Sequence, residues 1–372
     1  MRSLAVVVLT SIALFTPARV DAQSVRTEPA ARVPDMRPAS PGPGEDDASA
    51  QVTPPALPTR VRTAITVLGL NRVSAPNEAF PTFDATVMLT VRWNDPRLAF
   101  DAAEEGDDRR VYLGDEALER MNDIWTPDLT IENEEGERAL DARTLVVRND
   151  GTVTQEEIFD ARFRVQFDLR AFPFDTQSLR FVVVPMAWNT RQVVLEAIED
   201  RMTVDDEVQV RDWTLGAMRA RVAEVQEARS GRPFSQMTID LPARRHPGFY
   251  LSKVMLPLLL IVACTWTTFW MTGEPAGTRL QRGFIALLSI VAFTQVIAQH
   301  LPRISYVTFL DAVMYFAFAS TGATLIQVVA THRAEMRGAK DVAAKLDRIA
   351  RVAFPVAFAL ALATLFVVYG AL

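Results

Sequence analysis

Between Thr59 and Leu241 apolar and polar residues alternate in short runs such as RTAITVLGL, FDATVMLTVRW, ARFRVQFDL and SLRFVVVP, divided by turn-forming residues. Side chains along a strand point alternately to its two faces, so this period of two predicts half-buried strands. Runs repeated at this spacing predict an antiparallel β-sandwich of the immunoglobulin-like kind. Asn149-Asp150-Gly151 predicts a hairpin turn, and DEALERMNDI a short helix capped by Asp115. After Pro242 the pattern changes to four long apolar segments at about 249–270, 278–300, 306–331 and 348–372. Each is close to the ~20 residues that a bilayer-spanning helix needs. The expected fold is an exported sandwich followed by a four-helix transmembrane bundle.

The second apolar segment is not evenly apolar. On a helix, Gln281, Ile285, Leu288, Ala292, Gln295 and Gln299 share one face, with amides at its ends and apolar side chains in its middle. Lipid offers a glutamine no hydrogen-bond partner. Two readings fit. The helix lines a narrow aqueous path that Ile285 and Leu288 close by expelling water, or its amides bond to neighbouring helices.

The ends of the chain set the topology. Residues 1–22 carry one early arginine, an apolar run and Val20-Asp21-Ala22, the pattern of a secretory signal peptide. Residues 23–58 are rich in Pro, Ala, Ser and acids and read as a disordered linker. This divides the rest into an exported domain, 59–243, and a membrane domain, 244–372. The third connection, THRAEMRGAKDVAAKLDRIAR, holds six Lys or Arg against three acids, which puts it in the cytoplasm and the C-terminus outside. The expected location is a membrane crossed several times, with the sandwich on its exported side.

Composition removes several chemistries. Among 372 residues of net charge −6 there is one cysteine, Cys264, and three separated histidines. No intrachain disulfide is possible, and no zinc or Cys/His catalytic set is recognisable. Nothing resembles a nucleophile elbow, a zinc helix or a phosphate loop, so no enzyme is expected and no cofactor. The acidic runs Glu104–Asp108 and Asp205–Glu207 lack the spacing of a calcium loop and read as solvated, so no metal is expected.

Local motifs make the reading more specific. Val165–Leu179 reads VQFDLRAFPFDTQSL, followed downstream by Arg244-Arg-His-Pro-Gly-Phe-Tyr250, Pro257 and Leu301-Pro-Arg-Ile-Ser-Tyr306. Upstream lie Trp93-Asn-Asp-Pro-Arg-Leu98 and Trp125-Thr-Pro-Asp128. Together these resemble the pentameric ligand-gated ion channels, the Cys-loop receptor superfamily, over residues 60 to 372. Arg279-Leu-Gln, Pro302-Arg303 and Ala353-Phe-Pro355 look closest to the amine-gated bacterial subgroup. The bridging cysteines of the animal receptors correspond here to Val165 and Leu179, as in bacterial members.

The resemblance implies a homopentamer in the lipid bilayer of a bacterial inner (plasma) membrane, with the sandwich and C-terminus periplasmic or extracellular and the second helices lining a pore for monovalent ions. It implies no nucleic acid partner. Phe172, Pro173, Phe174 and Asp175 would couple the sandwich to the membrane domain, with Arg245 pairing Asp175 and the Pro302-Arg303 link against the loop tip. A small-molecule agonist, with a primary amine as the leading class, would sit between subunits on Glu132, Met186, Trp188 and Phe234, facing Met88 of the next subunit. Met186 stands where an aromatic is usual, and Val184 where the amine-gated subgroup has a carboxylate. Trp93 and Trp125 are expected in the core. At the inner mouth, Thr278 occupies the position of a cation-selecting carboxylate, leaving Glu274 and Arg279 to compete. Cation selectivity is preferred; anion selectivity and a pore-less, membrane-anchored periplasmic sensor are the alternatives.

Overall fold

The computed structural model describes residues 53–73, 81–210, 212–226, 231–271, 273–298 and 305–370. The expected signal peptide, most of the linker, Gln299, Pro302 and Arg303 lie outside the described residues.

Among the described residues eleven strands form the sandwich: β1 (Thr59–Val73), β2 (Thr82–Asn94), β3 (Arg109–Leu113), β4 (Leu129–Ile131), β5 (Glu134–Arg148), β6 (Thr152–Arg164), β7 (Thr176–Pro185), β8 (Val193–Ala197), β9 (Trp213–Leu215), β10 (Arg219–Gln226) and β11 (Pro233–Arg245). One sheet runs β3-β5-β6-β2-β1-β8; the other runs β10-β11-β7-β4, with β9 on β11. The predicted alternation is realised on β2 and β6, whose inward residues include Phe83, Phe159 and Phe163. Phe83, Phe163 and Phe181 pack with ring centroids 4.9–5.3 Å apart between the two sheets. Full burial of such side chains contributes about 1.5–3 kcal/mol each. One pairing departs from the antiparallel expectation: β8 runs parallel to β1, from Thr59 opposite Val193 to Thr63 opposite Ala197. Five residues of β8 thus cover a strand edge that would otherwise be open.

The β5–β6 turn forms at Asn149-Asp150-Gly151 as expected. Gly151 has φ +82°, and a Cβ there would lie 2.4 Å from the Asp95 carbonyl oxygen, so only glycine fits. Of the two short helices, α1 (Ala102–Glu105) and α2 (Gly114–Asn122), the second corrects an expectation. It starts two residues earlier than that cap requires, so Asp115 lies in its first turn, and Leu113 occupies the cap position without a side-chain bond. A charge in that position still meets the positive end of the helix dipole.

Four long helices follow: α3 (Gly248–Trp270), α4 (Ala276–Ala298), α5 (Phe309–Met336) and α6 (Lys340–Gly370). By length and composition α3, α5 and α6 can cross a membrane. With 23 residues, α4 is about 34 Å long at ~1.5 Å per residue. Within α3, a π-helical turn at Leu251–Met255 ends two residues before Pro257. Proline cannot return a hydrogen bond to the preceding turn, and a wide turn accommodates this defect. The third connection is not a loop. Its charged residues extend α5 to Met336 and start α6 at Lys340, leaving Arg337–Ala339 as the turn, with Gly338 at φ +76°. Ala, Lys, Arg and Glu are strong helix formers, and their propensity carries both helices beyond their apolar stretches.

A second core joins Leu169 and Phe172 at the base of the sandwich to Val254, Leu258, Phe309 and Leu310 of the bundle.

Candidate functional site

The polar stripe of α4 faces away from its own bundle. Gln281, Ile285, Ala292 and Gln295 are exposed, and Leu288 is 70% exposed. The opposite side packs inward through Gly283, Ile290 and Ile297, so tightly that a Cβ on Gly283 would lie 2.3 Å from Leu325 Cδ2. The described glutamines therefore do not spend themselves on neighbouring helices of the same chain. Phe284 and Val291, absent from the predicted set, flank the stripe and are also exposed. Gly277, Leu280, Gln281, Phe284, Ile285 and Leu288 line a shallow depression along this face.

At the inner end, the three predicted mouth residues separate. Thr278 is half-buried. Glu274 pairs with Arg282 at 3.0 Å, both partly exposed. Arg279 does not compete with Glu274 for the exposed side: it is 3% exposed, and its Nη2 donates to Asp347 Oδ1 of α6 at 3.0 Å. Its spacing already placed it with Gly283 and Ile290, opposite Gln281. Asp347 and Arg282 were the residues missed. Asp347 shares a buried helical stripe with Ala343 and Ala350, a spacing visible in the sequence once 340–351 is taken as helix.

The loop between β6 and β7 sits on the bundle. Arg245, at the end of β11, donates to Asp175 through Nε to Oδ1 (2.9 Å) and Nη2 to Oδ2 (3.2 Å), with both side chains buried. Gln177 braces the loop: its Nε2 donates to Asp175 Oδ2 (2.6 Å) and to the Asp168 carbonyl (2.8 Å). Beyond the predicted residues, the backbone itself crosses the junction, because the Phe309 N–H donates to the Arg170 carbonyl (2.8 Å) and the Leu169 N–H to Tyr306 Oη (3.1 Å). Phe172 lies 4.6 Å from the Tyr250 ring of α3, while Phe174 lies 5.4 Å from Phe309 and 4.9 Å from Phe366. Pro173, between them, follows a cis peptide bond. One loop thus touches α3, α5 and α6.

At the other end of the sandwich, Glu132, Met186, Trp188 and Phe234 line one pocket of about 760 Å³. Met186 is 71% exposed, and Glu132 Oε2 accepts from Gln236 Nε2 at 3.0 Å. Arg138, not predicted, also lines it, already bonded to Glu134 and Glu157. Met88 is not among these residues: it is on β2, in the other sheet, with the half-buried outward residues Thr86 and Asp84. Behind the pocket Trp188 packs on Trp125 (5.8 Å), and Trp125 on Trp93 (6.1 Å); the last two are buried in the core, as expected of them.

Members of both acidic runs bond locally. Glu105 pairs with Arg110, which holds its carboxyl below the usual range. Asp205 Oδ1 accepts from the Glu207 N–H. On β11, Asp240 is held below the usual carboxylate range: burial works against its charge, but the Ser178 hydroxyl and the Arg180 guanidinium outweigh it.

Residues 48–247 match the neurotransmitter-gated ion-channel ligand binding domain, and residues 254–341 the neurotransmitter-gated ion-channel transmembrane region. The chain is 29% identical over 308 residues to a proton-gated ion channel of Gloeobacter violaceus, covering 83% of each. It is 25% identical to the glycine receptor subunit beta of Rattus norvegicus, over 76% of this chain and 57% of that one. It is 23% identical to a gamma-aminobutyric acid receptor subunit beta-like protein of Drosophila melanogaster, over 74% of this chain and 56% of that one. A two-sheet sandwich on a helical bundle, seated through a buried Asp-Arg pair and matched by both halves of one family along its length, leads to one conclusion: the chain belongs to the neurotransmitter-gated ion channels, the pentameric Cys-loop-type ligand-gated family.

Proposed function

We propose that the protein is a subunit of a homopentameric channel in which agonist binding between sandwiches opens a central pore lined by α4. The observation that carries this reading is the exposed stripe Gln281-Ile285-Leu288-Ala292-Gln295 on a helix packed through its other side. An amide-bearing face is costly against lipid and favourable around water. Cyclic closure by identical subunits would supply that water path, with Leu288 as the constriction. Agonist would act by binding the open state better than the closed one.

The agonist site of this reading is the pocket of Glu132, Met186, Trp188 and Phe234, completed by Met88 of the adjacent subunit. A carboxylate beside aromatic faces suits a small amine. Protons are a second agonist reading, favoured by the similarity to a proton-gated channel. Cation selectivity remains the preferred reading, since burial of Arg279 removes one ring of bases from the inner mouth and leaves Glu274 and Arg282 as a pair.

Planar-bilayer recording under a KCl gradient tests the function. Small primary amines are applied first and a pH step second. An evoked current with a cation reversal potential is expected. Cysteine labelling along residues 281–295 distinguishes a pore from an anchor: water access at helical periodicity supports the pore, and uniform protection would sink it.

A further inference from the structure

At the inner end of the bundle a single carboxylate oxygen gathers three donors from two other helices. Asp347 Oδ1 accepts from Arg279 Nη2 of α4 (3.0 Å), and from Gln327 Nε2 (2.7 Å) and Thr331 Oγ1 (3.2 Å) of α5. All four side chains are buried. Arg279 is in the first turn of α4, on the opposite side from Gln281, yet at the same depth along the helix.

We infer that Asp347 is a selectivity-positioning residue, which holds Arg279 inside the bundle and so keeps a ring of five guanidinium charges out of the inner mouth. The inference rests on the pore reading above. A buried charge does not tolerate solitude. A guanidinium left unpaired in a low-dielectric interior extends its side chain toward the nearest water. From the first turn of α4 that water is the inner mouth. A ring of bases there repels cations and draws anions, and at ~0.15 M salt it acts over about 8 Å. Gln327 and Thr331 cannot substitute for the carboxylate, because neither carries charge.

The test uses the full-length protein in vesicles and bilayers, comparing wild type, Asp347→Asn, Arg279→Gln and the double variant. Arginine modification by phenylglyoxal, mapped by mass spectrometry, reads release directly and needs no current. Arg279 should be protected in wild type and modified at least tenfold faster in Asp347→Asn, with the exposed Arg282 as internal standard. Equal protection in both overturns the inference. Reversal potential under a KCl gradient reads the consequence. Asp347→Asn should shift it toward the chloride potential, and adding Arg279→Gln should restore it. A shift that persists in the double variant also overturns the inference, because the effect then does not pass through Arg279. If Asp347→Asn fails to assemble, the double variant with Arg279→Gln, which removes both charges, is required to assemble again, and its failure too would overturn the inference, because the damage then does not come from an unpaired Arg279. Rapid modification beside a silent wild type would instead count against the pore reading and leave the latch standing.

Discussion

Asp175 and Arg245 are joined through both carboxylate oxygens, at 2.9 and 3.2 Å, while almost wholly removed from solvent. One sits on the loop that presses the bundle, the other on the last residue of the strand leading into α3. The pair therefore ties together two chain segments that cross from sandwich to membrane. The Arg245 guanidinium also lies 4.1 Å from the Trp213 ring and 5.2 Å from Phe172, so the charge is surrounded by apolar faces.

Removing one partner should cost far more than removing a surface charge. Asp175→Asn or Arg245→Gln is expected to destabilise the protein by about 3–5 kcal/mol. Arg245→Lys should recover only part of this, since an ammonium cannot form the two-pronged contact. Thermal unfolding in detergent, with oligomer retention on gel filtration, measures both. Variants as stable as wild type would deny the pair its structural role.

The glycine in α4 makes a second expectation. A methyl at residue 283 would collide with Leu325. Gly283→Ala should cost about 1–3 kcal/mol by overpacking and displace α4 from α5. Combining it with Leu325→Ala should return stability, a coupling that double-mutant thermal unfolding reads.

For the gate, replacing Leu288 with threonine is expected to raise resting current. It should also lower the half-maximal agonist concentration by about tenfold or more, as burial of one leucine is worth about 1.5–3 kcal/mol and ~1.4 kcal/mol is tenfold. Unchanged gating in bilayer recordings would take Leu288 out of that role.

Asp240 supplies a pH dependence with a definite sign. Its folded-state pKa is depressed. Its contribution is therefore complete above the ordinary carboxylate value of about 3.9 and fades as pH falls through the lower, folded-state value. Wild type should be more stable than Asp240→Asn at pH 7, and the difference should shrink toward zero as pH drops below about 4. Melting temperatures of the two proteins across that range decide it; a gap that widens in acid contradicts the assignment.

Much of this protein was legible without coordinates because its signals are local. Alternation of residues such as Phe159, Ala161 and Phe163 sets a strand face, the Asn149-Asp-Gly151 turn sets a hairpin, and apolar length sets the helices. That Gln281, Ile285, Leu288, Ala292 and Gln295 share one face of α4 follows from helical periodicity, whereas the exposure of that face does not. The pairing of Asp175 with Arg245 was also expected, through resemblance in motif. Relationships between segments far apart in sequence emerge only once the elements are packed together. Arg279 and Asp347 are 68 residues apart, and nothing near either residue says that one buries the other. The parallel seat of β8 on β1, the docking of Phe174 between Phe309 and Phe366, and the place of Arg138 in the pocket of Glu132, Met186, Trp188 and Phe234 are of the same kind. Local sequence determines which face a side chain takes, since that depends only on the period of its own element. What stands opposite that face depends on how the elements pack, and packing is a property of the whole chain.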